Sequence, residues 1–264
     1  MIKMCVFDVD GTLFDYYNNC VHASTIETLK RLQEKGILIV VATGRVHYGL
    51  GKALNDLHFD YICAVNGAVI ADSDQQVLIR HDFTREDVDQ INEFAHQYDA
   101  GLAWKFIDHV YIYQHKEKID WYEGQVHSDI GLTPFLDCPK QDRHLKGDLP
   151  QSASINAPPS KIEEVFGQSK RLSFLRCSET GYDVVLKGMN KGVGISELMR
   201  LKGIEKEEIM VVGDNYNDLS MFELAAYRVA MGNAIDEIKE KATYITADCA
   251  HDGIYQACLH YDLI

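Results

Sequence analysis

Three things are scarce in this chain, and each scarcity removes a class of protein. Prolines number 5 and glycines 19 among 264 residues, too few for a collagen-like or Pro/Gly-rich disordered polymer. Long apolar runs are missing: the longest, Ile37 to Ala42, has six residues, against the roughly 18 that a membrane-crossing helix needs. Positive charge is in deficit, with 26 Lys and Arg against 40 Asp and Glu and a net charge of −14. That balance argues against a reader of the nucleic-acid backbone, which requires basic surface. The seven cysteines are odd in number and widely spaced, with no Cys-x-x-Cys pair, so neither a disulfide framework nor a cysteine zinc site is expected. The first residues, Met1-Ile2-Lys3-Met4, lead straight into a strand-like segment without the apolar stretch of a secretory signal. The expectation is a cytoplasmic protein with reduced thiols and with no nucleic acid or membrane as partner.

What is present is ordinary globular material, 46% apolar and 25% charged. At roughly 150 residues per domain the length fits one large domain or two modest ones. Short, nearly continuous apolar runs recur near both ends, at Ile2 to Phe7, Ile37 to Ala42, Tyr61 to Val65, Ile209 to Val212 and Tyr227 to Met231. Such runs suit strands buried on both faces. Segments of helical spacing lie between them, at Thr25 to Glu34, Tyr48 to Leu57, Val193 to Leu201, Leu219 to Ala225 and Ile235 to Ala242. Alternation of strand and helix predicts an α/β fold with a doubly wound parallel sheet. The middle of the chain differs: His109 to His115 alternates at period two, the mark of an antiparallel strand. The predicted architecture is a discontinuous core of residues 1–82 and 184–264, interrupted by an α+β insertion over 83–183.

Three strand ends carry the residues that could do chemistry. Asp8-Val9-Asp10-Gly11-Thr12 follows the first strand, and open α/β sheets bind ligands at the carboxyl ends of their strands. Two other Asp-x-Asp pairs, at 72/74 and 87/89, lack that context. Thr43-Gly44-Arg45 follows the second strand; a hydroxyl and backbone N–H groups at a helix start can hold a phosphate. Gly213-Asp214-Asn215-Tyr216-Asn217-Asp218 follows another buried run and offers the oxygen donors that a hard cation prefers. Lys191 stands just before a predicted helix. Taken singly, each motif also has a plain reading as an acidic loop, an N-cap or a solvated lysine. In combination, Asp8, Asp10, Asp214 and Asp218 would repel one another by about 4 kcal/mol per pair at ~4 Å for an effective dielectric near 20. A divalent cation and Lys191 would relieve that repulsion, and with Thr43 they would form a pocket for a phosphoryl group.

In this ordered set the chain resembles the haloacid dehalogenase (HAD) superfamily, and within it the Cof-type phosphatases with a class IIB cap. Val65-Asn66-Gly67-Ala68, Ala230-Met231-Gly232-Asn233-Ala234 and Asp252-Gly253 extend the resemblance along the whole chain. The resemblance implies a Rossmann-like HAD core, with 83–183 as a cap domain that closes over the site. It implies that Asp8 is the nucleophile, forming an aspartyl-phosphate, and that Asp10 is the general acid and then the base. Mg²⁺ would be held by Asp8, the main-chain carbonyl of Asp10 and Asp214, with Asp218 behind them. Val9, Thr43, Gly44, Arg45, Lys191 and Asn217 would surround the phosphoryl group. The substrate implied is a small phosphorylated metabolite, such as a sugar phosphate or a phosphorylated cofactor, and the protein a monomer or small homo-oligomer. A phosphomutase shares this site and is the nearest alternative; a non-catalytic phospho-ligand-binding protein and a signalling receiver are more distant ones. In the insertion, His109, Tyr111, Tyr113 and His115 share one strand face; the plain reading is a solvent-facing side of the cap sheet, and the alternative is a contribution to a specificity pocket.

Overall fold

The structure, a computed structural model, describes residues 1–119 and 135–264. Trp121, one of the insertion's aromatic residues, lies outside the described residues. The chain forms two compact units, Met1–Ile79 with Asn190–Ile264, and Arg80–Met189. In chain order the first part contains β1 (Met4–Asp8), α1 (Ala23–Glu34), β2 (Leu38–Ala42), α2 (Lys52–Asn55), β3 (Tyr61–Ala64), β4 (Val69–Asp72) and β5 (Val77–Arg80). The inserted unit contains α3 (Arg85–Gln97), β6 (Gly101–Lys105), β7 (Val110–Gln114), β8 (Leu136–Asp137), β9 (Ser152–Asn156), α4 (Pro159–Phe166), β10 (Leu172–Arg176) and β11 (Gly181–Leu186). The chain then returns through α5 (Lys191–Lys202), β12 (Ile209–Gly213), α6 (Leu219–Phe222), β13 (Tyr227–Ala230), α7 (Asp236–Lys241), β14 (Tyr244–Ile245) and α8 (Gly253–His260).

The core sheet runs β14-β13-β12-β1-β2-β3-β4-β5. Its strands from β14 to β3 are parallel, and β4 is antiparallel to β3. Every residue of β1 and β12 is buried, which is why these segments read as unbroken apolar runs. The order moves outward from β1 in both directions, to β2 and β3 on one side and to β12 and β13 on the other. The β1/β12 boundary is thus the topological switch point, where open α/β sheets leave a crevice. Helix α5 packs Ile195 and Leu198 into a core with Val6, Val40 and Val211. It starts on Asn190, whose side chain accepts from the Val193 N–H, and stops at Gly203 in the left-handed region.

The inserted unit has a second sheet, β10-β11-β9-β6-β7-β8, antiparallel except where β7 meets β8. Its core gathers Trp104, Phe83, Phe94, Phe166, Ile155 and Val184. Strand β11 pairs on both sides within this unit, with β9 and β10. A boundary at 183/184 would cut through that strand, and the units divide instead at 79/80 and 189/190.

Two local expectations change. The helix expected over Tyr48 to Leu57 is the single turn α2, because Gly51, at φ 100°, sits immediately before it. No helix start therefore stands behind Thr43. Strand β7 is covered on both faces: Val110 and Ile112 are buried on one, and on the other Tyr113 is buried and the part-buried Tyr111 packs against the unit's core. The Tyr113 hydroxyl lies 3.0 Å from His144 Nδ1, and the Tyr111 hydroxyl donates to Asp108 at 3.1 Å while accepting from Arg143 at 3.1 Å. Both hydroxyls are thus held by side chains of the same unit.

The loop after β1 is closed by Asp15. Its carboxylate accepts from the N–H groups of Tyr17 and Asn18 and from the Asn18 side chain, and lies 2.8 Å from His22 Nε2. Burial alone would raise its pKa, but the Asn18 and His22 contacts override burial and hold it at about 2. A folded value below the unfolded one, about 3.9, stabilises the fold above pH ~4, and the contribution is lost as pH falls toward 2. Asp15→Asn is expected to cost about 1–2 kcal/mol at neutral pH, allowing for solvent screening. In denaturant titrations the gap to wild type should narrow between pH ~4 and ~2; a gap independent of pH would contradict the assignment.

Candidate active site

Three adjacent parallel strands, β12, β1 and β2, end on one rim. Register pairs Asp8 with Ala42 and Phe7 with Val212, so Asp8, Thr43 and Asp214 emerge side by side at the switch point. Lys191, the first residue of α5, is fully buried. Its ammonium donates to Asp8 Oδ1 at 2.5 Å and to Asp218 Oδ1 at 2.7 Å. The other oxygen of Asp218 accepts from the N–H groups of Asp214 and Asn215, at 2.9 and 3.1 Å. Asp218 thereby sets the turn that presents Asp214, and a Cβ at Gly213 would stand 2.6 Å from its carboxylate.

Asp8, Asp214 and Asp218 each offer a carboxylate oxygen within 4.8 Å of the others. Burial and then the Asp218 charge raise the pKa of Asp8 well above the usual carboxylate range, against the pull of Lys191. The same two causes push Asp214 up to about 7. Burial works against the Lys191 ammonium, yet Asp218 and Asp8 outweigh it and raise its pKa. Asp218 is fully buried and tied at its oxygens to the Lys191 ammonium and two main-chain N–H groups, whereas Asp214 is only part-buried and Asp8 has one oxygen beside Lys191 and one apart from it, so Asp8 and Asp214 are the carboxylates best able to serve a cation directly. Oxygen donors, mutual repulsion and burial together fit a small hard cation such as Mg²⁺.

Asp10 is held apart from this trio by Arg45. The guanidinium is 5% exposed and pairs with both Asp10 oxygens, while Nη1 donates to the Leu50 carbonyl. It also lies 5.6 Å from the centre of the Phe14 ring. Arg45, expected at the phosphoryl group, is thus committed to Asp10. Thr43 is fully buried, and its hydroxyl accepts from the Arg45 N–H at 3.1 Å. The Val9 side chain is also fully buried, leaving only its main chain for a ligand, and its carbonyl accepts from Phe14. Asn217 is exposed in the turn Tyr216–Asp218, and its side chain is not brought into hydrogen-bonding contact with the acidic trio.

Two residues that the motifs contained, but to which no role was assigned, complete the geometry. Asn233 donates to Asp214 Oδ2 at 3.1 Å and to the Gly11 carbonyl at 2.9 Å, joining two of the strand-end loops. The Thr12 hydroxyl donates to Asp214 Oδ1 at 3.4 Å. Gly11 has φ 88°, and a Cβ there would overlap the Asp214 carboxylate; glycine is required for the two loops to meet.

The family model of haloacid dehalogenase-like hydrolases matches residues 5–258, and the chain belongs to that family. A 5-amino-6-(5-phospho-D-ribitylamino)uracil phosphatase of Bacillus subtilis strain 168 is 27% identical over 281 residues, with 96% of each chain covered. A Streptococcus pyogenes protein is 28% identical over 265 residues, and this chain spans 54% of its length. Among solved structures, a HAD superfamily phosphatase from Bacteroides thetaiotaomicron superposes with a TM-score of 0.87 at 26% identity, over 100% of this chain and 96% of the other. A HAD subclass IIB sugar phosphatase gives a TM-score of 0.84 at 27% identity, over 99% and 100%. Family and relatives define a Cof-type HAD phosphatase, an enzyme acting on phosphorylated substrates.

Replacing Lys191 by Met leaves Asp8 and Asp218 buried without their counter-charge, at an expected cost of about 3–5 kcal/mol. The folded variant would bind more protons than its unfolded chain, so its stability should fall further as pH rises. Denaturant unfolding of both proteins at pH ~6 and ~8 checks the magnitude and the sign. A variant as stable as wild type at the higher pH would rule out the buried ion-pair role.

Proposed function

We propose that the enzyme is a Mg²⁺-dependent phosphatase of small phosphorylated metabolites that works through an aspartyl-phosphate on Asp8. The observation that carries this reading is the buried Lys191 ammonium shared by Asp8 and Asp218, beside Asp214 at the switch point. Lys191 occupies one Asp8 oxygen and leaves the other for phosphorus. In the first step that oxygen bonds to phosphorus, the ester P–O bond breaks, and Asp10 gives its proton to the departing alkoxide. In the second, Asp10 takes a proton from water, the water oxygen bonds to phosphorus, and the bond to Asp8 breaks to release inorganic phosphate. Arg45 pairs with both Asp10 oxygens in the carboxylate form, the form that takes a proton from water in the second step; for the first step Asp10 must enter protonated, and one Arg45 contact gives way to that proton.

Mg²⁺ would be held by Asp8, Asp214 and the main-chain carbonyl of Asp10, and it supplies positive charge to the phosphoryl oxygens. Thr43, the Gly44 N–H and Lys191 add donors to the same oxygens, with Val9 contributing its main chain and Asn217 reaching in from its exposed turn. The names of two relatives, a ribitylaminouracil-phosphate phosphatase and a sugar phosphatase, support phosphate esters of sugars or polyols as the substrate class. We place the enzyme in the cytoplasm as a monomer or small homo-oligomer. No helix among the described residues is long and apolar enough to cross a membrane.

Phosphate release from p-nitrophenyl phosphate, followed by a panel of sugar and polyol phosphates, tests the reading. Asp8→Asn should abolish release with the fold intact, Asp10→Asn should lower kcat by about 10²–10⁴, and EDTA should stop turnover until Mg²⁺ is restored. Undiminished release by Asp8→Asn, or by the chelated enzyme, would falsify the nucleophile or the metal assignment respectively. An isomeric ester in place of free phosphate would identify a mutase.

A further inference from the structure

Between β3 and β4 the chain passes through three consecutive left-handed residues: Val65 (φ 53°), Asn66 (φ 52°) and Gly67 (φ 98°). Glycine enters this region freely and asparagine tolerates it, whereas a β-branched valine there is an outlier. The turn touches both elements that the proposed function assigns to the phosphoryl group. On one side, the Thr43 N–H donates to the Cys63 carbonyl, the Val65 N–H to the Arg45 carbonyl and the Asn66 N–H to the Thr43 carbonyl, each at 2.9 Å. These bonds carry the β2–β3 pairing past the strand ends and set the path of Thr43–Gly44–Arg45. The Asn66 amide lies against Gly44, where a Cβ would stand 3.3 Å from Nδ2 and 3.4 Å from Oδ1.

On the other side stands the start of α5. Gly67 lies so close to the Asn190 carbonyl that a Cβ would overlap it. A Cβ at Gly194 would stand 2.6 Å from Cys63 Sγ and 2.8 Å from the Gly67 Cα. The Cys63 thiol also reaches the Lys191 carbonyl at 4.0 Å. The turn is a wedge between the loop Thr43–Arg45 and the helix end that carries Lys191.

Polar satisfaction does not account for Asn66. The residue is 6% exposed and its Oδ1 has no hydrogen-bond partner, an arrangement that costs stability. What residue 66 supplies is a backbone conformation that most L-residues resist. Strain kept beside a binding element, and over-determined by contacts on both flanks, points to a functional constraint.

We infer that Asn66 is a positioning residue: its left-handed backbone sets Thr43–Gly44–Arg45 against α5 so that Thr43, Gly44 and Lys191 converge on one phosphoryl group. This inference rests on the phosphoryl-binding reading of the site, and the test separates the two. Orthovanadate, a mimic of the transferring group, is titrated into the Mg²⁺-loaded enzyme. A wild-type enzyme that neither binds orthovanadate nor releases phosphate overturns the reading of the site itself. Given a binding wild type, Asn66→Gly and Asn66→Ala both remove the amide, but only Ala resists the left-handed conformation. Asn66→Gly should bind orthovanadate within about threefold of wild type, and Asn66→Ala should bind at least about tenfold more weakly. Asp262→Ala serves as the strain control, since Asp262 has φ 54°, is exposed in the same unit, and aspartate, like asparagine, tolerates the left-handed region better than alanine. It should lower Tm without moving orthovanadate affinity. Wild-type affinity in Asn66→Ala, or equal weakness in Asn66→Gly and Asn66→Ala, overturns the inference. Should Asn66→Ala not fold, Asn66→Ser replaces it with the same expectation against Gly.

Discussion

The active site depends on one ammonium group. Lys191 is completely enclosed, and its charge lies between two carboxylates that would otherwise face each other across a dry interior. Two unit charges ~4 Å apart interact by about 4 kcal/mol even at an effective dielectric near 20. The bare arrangement of Asp8, Asp214 and Asp218 would therefore be opposed by several such terms at once. Lys191 turns the Asp8–Asp218 repulsion into a chain of hydrogen bonds that continues through Asp218 to the Asp214 and Asn215 amides. The lysine that neutralises Asp8 is thus also what fixes, at one remove, where Asp214 stands.

The second cation does different work. Arg45 is bound to Asp10 and to a backbone carbonyl, so its planar fork is used for orientation. Fully ionised, the four acids of the site would carry −4 against +2 from the two cations, leaving −2, the charge that one divalent ion would match. In the proposed reaction the two carboxylates of Asp8-Val9-Asp10 have separate partners and separate duties. Asp8 is desolvated and set against an ammonium, while Asp10 is half-buried and clamped from the side. Spacing by one residue permits this, because residues at i and i+2 leave a strand end toward different neighbours once the chain turns at Gly11.

Much of this was legible in the sequence because it rests on local pattern. Buried parallel strands are continuous apolar runs, and the residue after such a run stands at a strand's carboxyl end; that logic located Asp8, Thr43 and Asp214 without coordinates. Three features were beyond its reach, for distinct reasons. The helix expected over Tyr48 to Leu57 has helical spacing, but spacing does not register that Gly51 breaks the backbone at φ 100°. Strand β7 is covered on both faces, and alternation along one strand does not say which neighbouring elements cover either. Asn233 reaches the Gly11 carbonyl across 222 residues of chain, and no local periodicity encodes a contact between loops on neighbouring strands. Asn66 belongs to the same group: its identity is visible, its left-handed φ is not.

The placement of these residues also divides the molecule's tasks along the chain. Every residue assigned to phosphoryl chemistry lies in Met1–Ile79 or Asn190–Ile264, and none lies in Arg80–Met189. The insertion leaves the core after β5, beyond the last parallel strand, and re-enters immediately before Lys191. The strand ends β12, β1 and β2 are therefore built without it, yet the residue that neutralises Asp8 is the second one after its return. A unit placed there can diverge in side chains without disturbing a single hydrogen bond among Asp8, Lys191, Asp218 and Asp214. The charge balance at the strand ends tolerates little change, whereas the antiparallel sheet of the insertion is constrained mainly by its own core.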